Sequence, residues 1–280
     1  MVRPFNSDLV IDEKISEPLL KAYHVGFDQK KFRLIPLVDV IRNVIPEFSL
    51  GYHCGKNIPL TSMVEKLKEA AELVFLTDKY QSRGEFGELI LHLLLRDFHE
   101  TIPLISKMYF KDSYNVPVHG FDGVQISISN NKKKLWLGES KLYKSGRSGV
   151  KELAGDLIKH LDADYLKREF SLISKKLPES IPEIEYWRNL MDKHQKLDTI
   201  FDRIVIPMVC TYDSSLFQHH CDNTSEYFSD FQDECIKLNT YFLSKRPNIN
   251  TEIILMLLPV PSKDDLNYEI DKRLKAIQSI

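Results

Sequence analysis

The sequence predicts an α/β fold in which a mixed sheet is flanked by helices, and three observations carry that reading. Apolar residues recur at three-and-four spacing over residues 61–80 and 85–98, the period of an amphipathic helix. Three short runs rich in β-branched and aromatic residues follow at 104–110, 118–129 and 135–141, parted by Asp112-Ser113 and by Asn130-Asn131-Lys132. Farther on, the nearly unbroken apolar runs at 203–210 and 252–259 alternate with helical stretches, as strands covered on both faces do.

Each element has a local cause. Residues 1–60 carry Pro4, Pro18, Pro36, Pro46 and Pro59 among short apolar runs, which suits short strands and turns around one helix near 37–45. Thr61 or Ser62 caps the next helix, whose inward face is Met63, Val64, Leu67, Ala70, Ala71, Val74 and Phe75. Arg83-Gly84 leads into a more buried helix with Phe86, Leu89, Ile90, Leu93 and Leu94 inward. Three strands come next. After Gly146 and Gly149, a stripe of Val150, Leu153, Leu157, Ile158 and Leu161 makes a helix, and 164–177 stays helical until Pro178 and Pro182 break it. A helical hairpin is expected over 183–200. The tail then reads as strand 203–210, helix 226–244, strand 252–259 and helix 263–277, with Trp136 and Trp187 in the core. Without an internal repeat or a flexible linker, the chain divides softly into an N-terminal elaboration, 1–80, and a main α/β domain, 81–280, with a helical insertion at about 164–200.

Composition removes several classes. Of 280 residues, 43% are hydrophobic and 28% charged, which excludes disordered and collagen-like chains. Lys plus Arg number 38 against 40 Asp plus Glu, so any nucleic-acid site must be a local patch. Cys54, Cys210, Cys221 and Cys235 are widely spaced and form no CxxC pair, which fits a reducing cytoplasm. The N-terminus has no signal-peptide pattern, and the longest apolar run, residues 253–260, is far below the roughly 20 residues of a spanning helix. No membrane partner is expected. Neither GxGxxG, GxxxxGK[ST] nor GxSxG occurs, so dinucleotide, P-loop and α/β-hydrolase chemistry lack support. His219-His220-Cys221 has no zinc-finger or ribbon spacing and reads as a loop.

Three fragments remain: Gly84-Glu85-Phe86-Gly87-Glu88 opening a helix, His119-Gly120-Phe121-Asp122-Gly123 entering the second strand, and Glu139-Ser140-Lys141 ending the third. Singly, each reads as a turn or a salt-bridged surface pair. Together their order matters, because a hairpin turn at 130–133 brings Asp122 beside Glu139 and Lys141 at one exposed end of the sheet. Glu139 and Lys141, two apart on a strand, share a face. Phosphodiester hydrolysis needs a hard divalent cation on oxygen ligands, and two convergent carboxylates supply it. A neighbouring lysine orients or deprotonates the water, or stabilises the phosphorane. Glu85 and Glu88 lie on neighbouring parts of one helix face, and Glu88 is the favoured third carboxylate.

In this order the fragments resemble the PD-(D/E)xK nuclease superfamily, whose restriction-endonuclease-like core runs α-β-β-β-α-β, over about residues 84–210. More closely, GEFGE, HGFDGV and LWLGESK look like the HamA family of Hachiman anti-phage systems, a likeness spanning nearly the whole chain. The resemblance implies a nuclease-like domain at 81–280, catalytic roles for Asp122, Glu139, Lys141 and Glu88, and metal ligation by Asp122, Glu139 and Glu88. It also implies Mg²⁺ or Mn²⁺ as cofactor, DNA as substrate and a superfamily-2 helicase, HamB, as partner. Phe121 stands where the superfamily motif has proline, which leaves the assignment resting on order and topology.

Lys132, Lys133, Lys134, Lys144, Arg147 and Lys151 surround the single acid Glu139 over 131–151, a local basic stretch for DNA phosphates. Lys132 to Lys134 read equally as a solvated hairpin tip. Gly146, Ser148 and Gly149 offer backbone N–H groups at a helix start. The expected activity is a metal-dependent, sequence-tolerant DNA endonuclease or nickase, restrained and triggered by the helicase. A catalytically inert module that binds DNA or regulates the helicase, and a site-specific restriction-type enzyme, are the alternatives.

Overall fold

The computed structural model describes residues 3–74, 84–106, 120–129, 132–249 and 251–280. The elements run β1 (Asp12–Glu17), β2 (Leu20–His24), β3 (Phe27–Asp28), β4 (Lys31–Phe32), α1 (Leu34–Leu50), α2 (Tyr52–Lys56), α3 (Met63–Val74), α4 (Glu85–His99) and β5 (Ile102–Ser106). Then come β6 (Gly123–Ser129), β7 (Lys132–Tyr143), α5 (Gly146–His160), α6 (Ala163–Lys176), α7 (Ile184–Leu190), β8 (Ile204–Asp213), α8 (Leu216–His219), α9 (Ser225–Leu243), β9 (Glu252–Val260) and α10 (Lys263–Gln278). Residues 75–83, 107–119 and 130–131, and with them His119 and parts of the expected elements 61–80, 104–110 and 118–129, lie outside the described residues.

Among the described residues the main sheet has seven strands in the order β1-β2-β9-β8-β7-β6-β5. The middle, β2-β9-β8-β7, is parallel, and both flanks are antiparallel. The apolar runs of β8 and β9 account for their place: β8 is buried from Ile204 to Tyr212, because helices cover both faces. One layer packs Val150, Leu153 and Leu157 of α5 and Phe170 of α6 against Leu135, Leu137, Ile206 and Met208. The other packs α1, α4 and α10 against Trp136, Leu142, Val205, Val209 and Met256. Odd residues of β7 thus face α5, and even residues face α4.

Three expectations need correction. Over 183–200 only α7 forms, followed by the single 3-10 turns Leu197–Thr199 and Phe201–Arg203; after Leu190 the segment is mostly polar and has no apolar face to bury as a second helix. In α3, Met63 and Val64 are exposed rather than inward, and in α5, Ile158 is 55% exposed and does not belong to the inward stripe. Ala154 and His160 lie on the inward side instead.

The N-terminal elaboration is built into the sheet. β2 pairs with β9 through Leu20–Leu255 and Ala22–Leu257. Below it, Glu47 of α1 accepts from Arg96 Nε of α4 at 2.7 Å and lies 2.9 Å from His92 Nε2, joining the two helices inside the core. Burial pushes the Glu47 carboxyl up, but His92 and Arg96 outweigh it and hold it below the usual range.

Candidate active site

The site begins where α4 crosses the β6–β7 ladder. Gly123 and Gly138 pair across that ladder, and Leu91 of α4 sits on both. A Cβ at Gly138 would come within 2.8 Å of Leu91 Cδ2, so glycine is what permits the close approach. One turn earlier Gly87 passes over β7 at Ser140, where an added Cβ would lie 3.1 Å from the hydroxyl. Helix, β6 start and β7 end are therefore held together by small residues.

Beyond the Gly123–Gly138 pair the chain before β6 leaves the ladder. The Asp122 carboxylate takes over: its Oδ2 accepts the Ser140 backbone N–H and the Ser140 hydroxyl, each at 2.9 Å. Asp122 is only 4% exposed and its placement is fixed by β7 itself. Just before it, Gly120 has φ +145°, and a Cβ there would meet Glu169 Oε2 of α6 at 2.8 Å. A side chain at 120 would displace the approach to Asp122.

Glu139 and Lys141 project from the α5 face of β7. Lys141 Nζ lies 3.0 Å from Glu139 Oε1 and 2.7 Å from Asp156 Oδ2 of α5. His160, one turn beyond Asp156, has Nδ1 3.8 Å from Glu139 Oε2. Its ring stacks on Tyr165 at 5.1 Å and meets the edge of Phe121 at 4.7 Å, so the residue before Asp122 also packs on the site. Burial alone would lower the Lys141 pKa, but Glu139 and Asp156 reverse that and hold it above the ordinary lysine range. Asp156 is held low: burial opposes this, and hydrogen bonds from Lys141 and Lys159 prevail.

The structure thus gathers Asp122, Glu139 and Lys141 at one end of the ladder. The sheet end is not exposed as expected, since Glu139 is 6% exposed beneath α5. Glu88 is buried and Glu85 half-buried. Glu88 belongs to α4, which covers the opposite face of β7 from Glu139 and Lys141. Among the described residues no three His, Cys, Asp or Glu side chains form a ready metal cage. Asp122 and Glu139 each offer hard carboxylate oxygens, the donor type that Mg²⁺ takes.

The basic stretch is divided by β7. Lys132 and Lys141 are nine residues apart on one strand, about 30 Å at ~3.3 Å per residue. Lys133 pairs with Glu183 and lies 4.4 Å over the Tyr186 ring, and Lys134 is 3.4 Å from Glu252. At the site's end of the strand, Lys144 pairs with Asp264 at 2.6 Å, Arg147 lies 4.0 Å over Tyr241, and Lys151 is exposed.

Asp156 and His160 are site residues that the sequence reading missed. Their i, i+4 spacing beside the apolar Leu153 and Leu157 marks them as polar groups on the inward edge of α5, but only the packed helix shows what they reach. Among the described residues no helix is long and apolar enough to cross a membrane. A family model described as HamA matches residues 3–274 of the chain. No curated protein matches it.

Proposed function

The chain belongs to the HamA family, components of Hachiman anti-phage defence, and on that premise we propose that it is the nuclease of its system. The activity is a Mg²⁺-dependent DNA endonuclease or nickase of the PD-(D/E)xK type with little sequence preference, for which Mn²⁺ is the expected substitute ion. What supports the reading is the ladder register, which sets Asp122 and Glu139 at the same end of β6 and β7, with Lys141 on the Glu139 face. Asp122 and Glu139 would hold the ion, which when bound polarises the scissile phosphate and lowers the pKa of an attacking water.

The chain's own groups do the rest. Ser140 fixes one Asp122 oxygen from two directions, so the carboxylate needs little reorganisation before it binds. Lys141 puts a positive charge where negative charge develops on the phosphate, in a half-buried setting that screens it less than bulk water does. Glu88 is the helix carboxylate of this reading, on α4 one residue after the Gly87–Ser140 approach. Lys144, Arg147 and Lys151 contact phosphates nearby and Lys132, Lys133 and Lys134 do so at the far end of β7, which gives affinity without base readout.

Supercoiled plasmid incubated with the purified chain tests this. Nicked or linear forms appearing with Mg²⁺, and absent with chelator or in Glu139→Gln, are the expected result. Plasmid that stays supercoiled under every condition, including with the partner present, favours the inert DNA-binding module.

The proposed partner is the superfamily-2 helicase HamB. The chain carries no ATPase motif, and a sequence-tolerant nuclease must be restrained from host DNA. The helicase holds the site inactive and releases it on DNA recognition with ATP turnover. Co-purification followed by cleavage assays decides this, because equal rates free and bound without ATP would contradict restraint.

A further inference from the structure

We propose that Asp156 is a positioning residue that clamps the Lys141 ammonium from α5, so that Lys141 stands beside Glu139 as a fixed positive charge. Three observations lead there. Lys141 Nζ is held from two elements at once, by Glu139 Oε1 on its own strand at 3.0 Å and by Asp156 Oδ2 at 2.7 Å. A lysine paired only with a neighbour on its own strand keeps most of its rotamer freedom, whereas a second anchor on a packed helix removes it. The pair is also shielded, with side-chain exposures of 17% for Lys141 and 14% for Asp156, unlike a surface bridge.

The reach of Asp156 is itself set by packing. Gly149, two turns earlier on the same face of α5, sits so close to β8 that a Cβ would come within 2.6 Å of Cys210 Sγ. Cys210 is the residue in register with Lys141. The glycine contact therefore seats α5 on the strand next to β7, at the register position of the Lys141 backbone. The other Asp156 oxygen accepts from Lys159, a 74% exposed lysine at 2.9 Å. Lys159 offers a control, since removing it leaves the clamp untouched.

The inference rests on the nuclease reading for its activity arm alone, and a second arm needs no activity. In protein labelled with ¹⁵N-lysine, an ammonium held by two carboxylates gives a resolved side-chain Nζ signal, assigned by its loss in Lys141→Arg. That signal is expected to vanish in Asp156→Asn and to persist in Lys159→Ala. Single-turnover plasmid cleavage with Mg²⁺ is expected to fall about 10- to 100-fold in Asp156→Asn, with DNA affinity unchanged and partial recovery in Asp156→Glu. An Nζ signal unaltered in Asp156→Asn, or a lost signal with an undiminished rate, overturns the proposal. Should the parent protein cut no DNA while the signal behaves as expected, the clamp stands and the nuclease reading fails.

Discussion

Glu139 is buried and paired with Lys141, so changing it carries a stability cost that a surface carboxylate would not. Glu139→Gln keeps the shape but leaves Lys141 with Asp156 alone. We expect a loss of about 1–3 kcal/mol in thermal or urea unfolding, together with loss of cleavage. Asp122→Asn differs, because an amide oxygen still accepts from Ser140 while the hard anionic donor is gone; Mn²⁺ binding by calorimetry should fall with DNA affinity retained. A third residue-scale prediction concerns His99, half-buried beside Tyr23 and Trp136. Burial lowers its pKa from 6.5 to about 4, only partly offset by Glu13. The unfolded chain thus binds the proton first, and stability drops as pH falls from 6.5 towards 4, by up to about 3 kcal/mol at ~1.4 kcal/mol per unit. Melting curves at pH 7 and pH 4.5 should show this drop, and His99→Gln should make it shallower.

The element that sets the site is α4, and its distance from the ladder depends on glycine. Gly138→Ala forces a methyl against Leu91 and Pro207, which we expect to cost about 1–3 kcal/mol in urea unfolding. Gly155 in α5 is the opposite case. Nothing lies within 4 Å of a Cβ there, so Gly155→Ala should stabilise by about 0.4–1 kcal/mol. The β7 strand carries a further consequence, since Lys132, Lys133 and Lys134 are far from Lys141. Neutralising all three should flatten the salt dependence of DNA binding, by about 0.9 per lost contact, while leaving the cleavage rate at saturating DNA unchanged. Lys133 and Lys134 already pair with Glu183 and Glu252, so their share of the slope should be smaller than that of Lys132.

At the scale of the whole molecule, residues before α1 are structural. Removing them would strip β1 and β2 and turn β9 into an edge strand, exposing an apolar run from Ile253 to Leu258. Such edges pair with other chains. A variant starting at residue 33 should therefore elute as aggregate in size-exclusion chromatography, where the full chain elutes as a discrete species. The main α/β domain and the elaboration are one folding unit in this expectation, and a variant that elutes discretely would separate them.

The sequence by itself determined the α/β class and most element positions, because three-and-four spacing and unbroken apolar runs are local signals of helix and buried strand. It also placed Asp122 beside Glu139, since hairpin register is set within a short stretch of chain, and the observed Gly123–Gly138 pair is that register. Only the tertiary structure decided what is non-local. That Lys132 to Lys134 lie about 23–30 Å from Lys141, at ~3.3 Å per residue, follows from an extended strand, although the residues are close in sequence. That β2 joins β9 required two segments more than 200 residues apart to meet. Asp156 and His160 were invisible for the same reason. Their side chains matter through what α5 packs on, and that is fixed by Gly149 against Cys210, a contact between elements that no local pattern encodes.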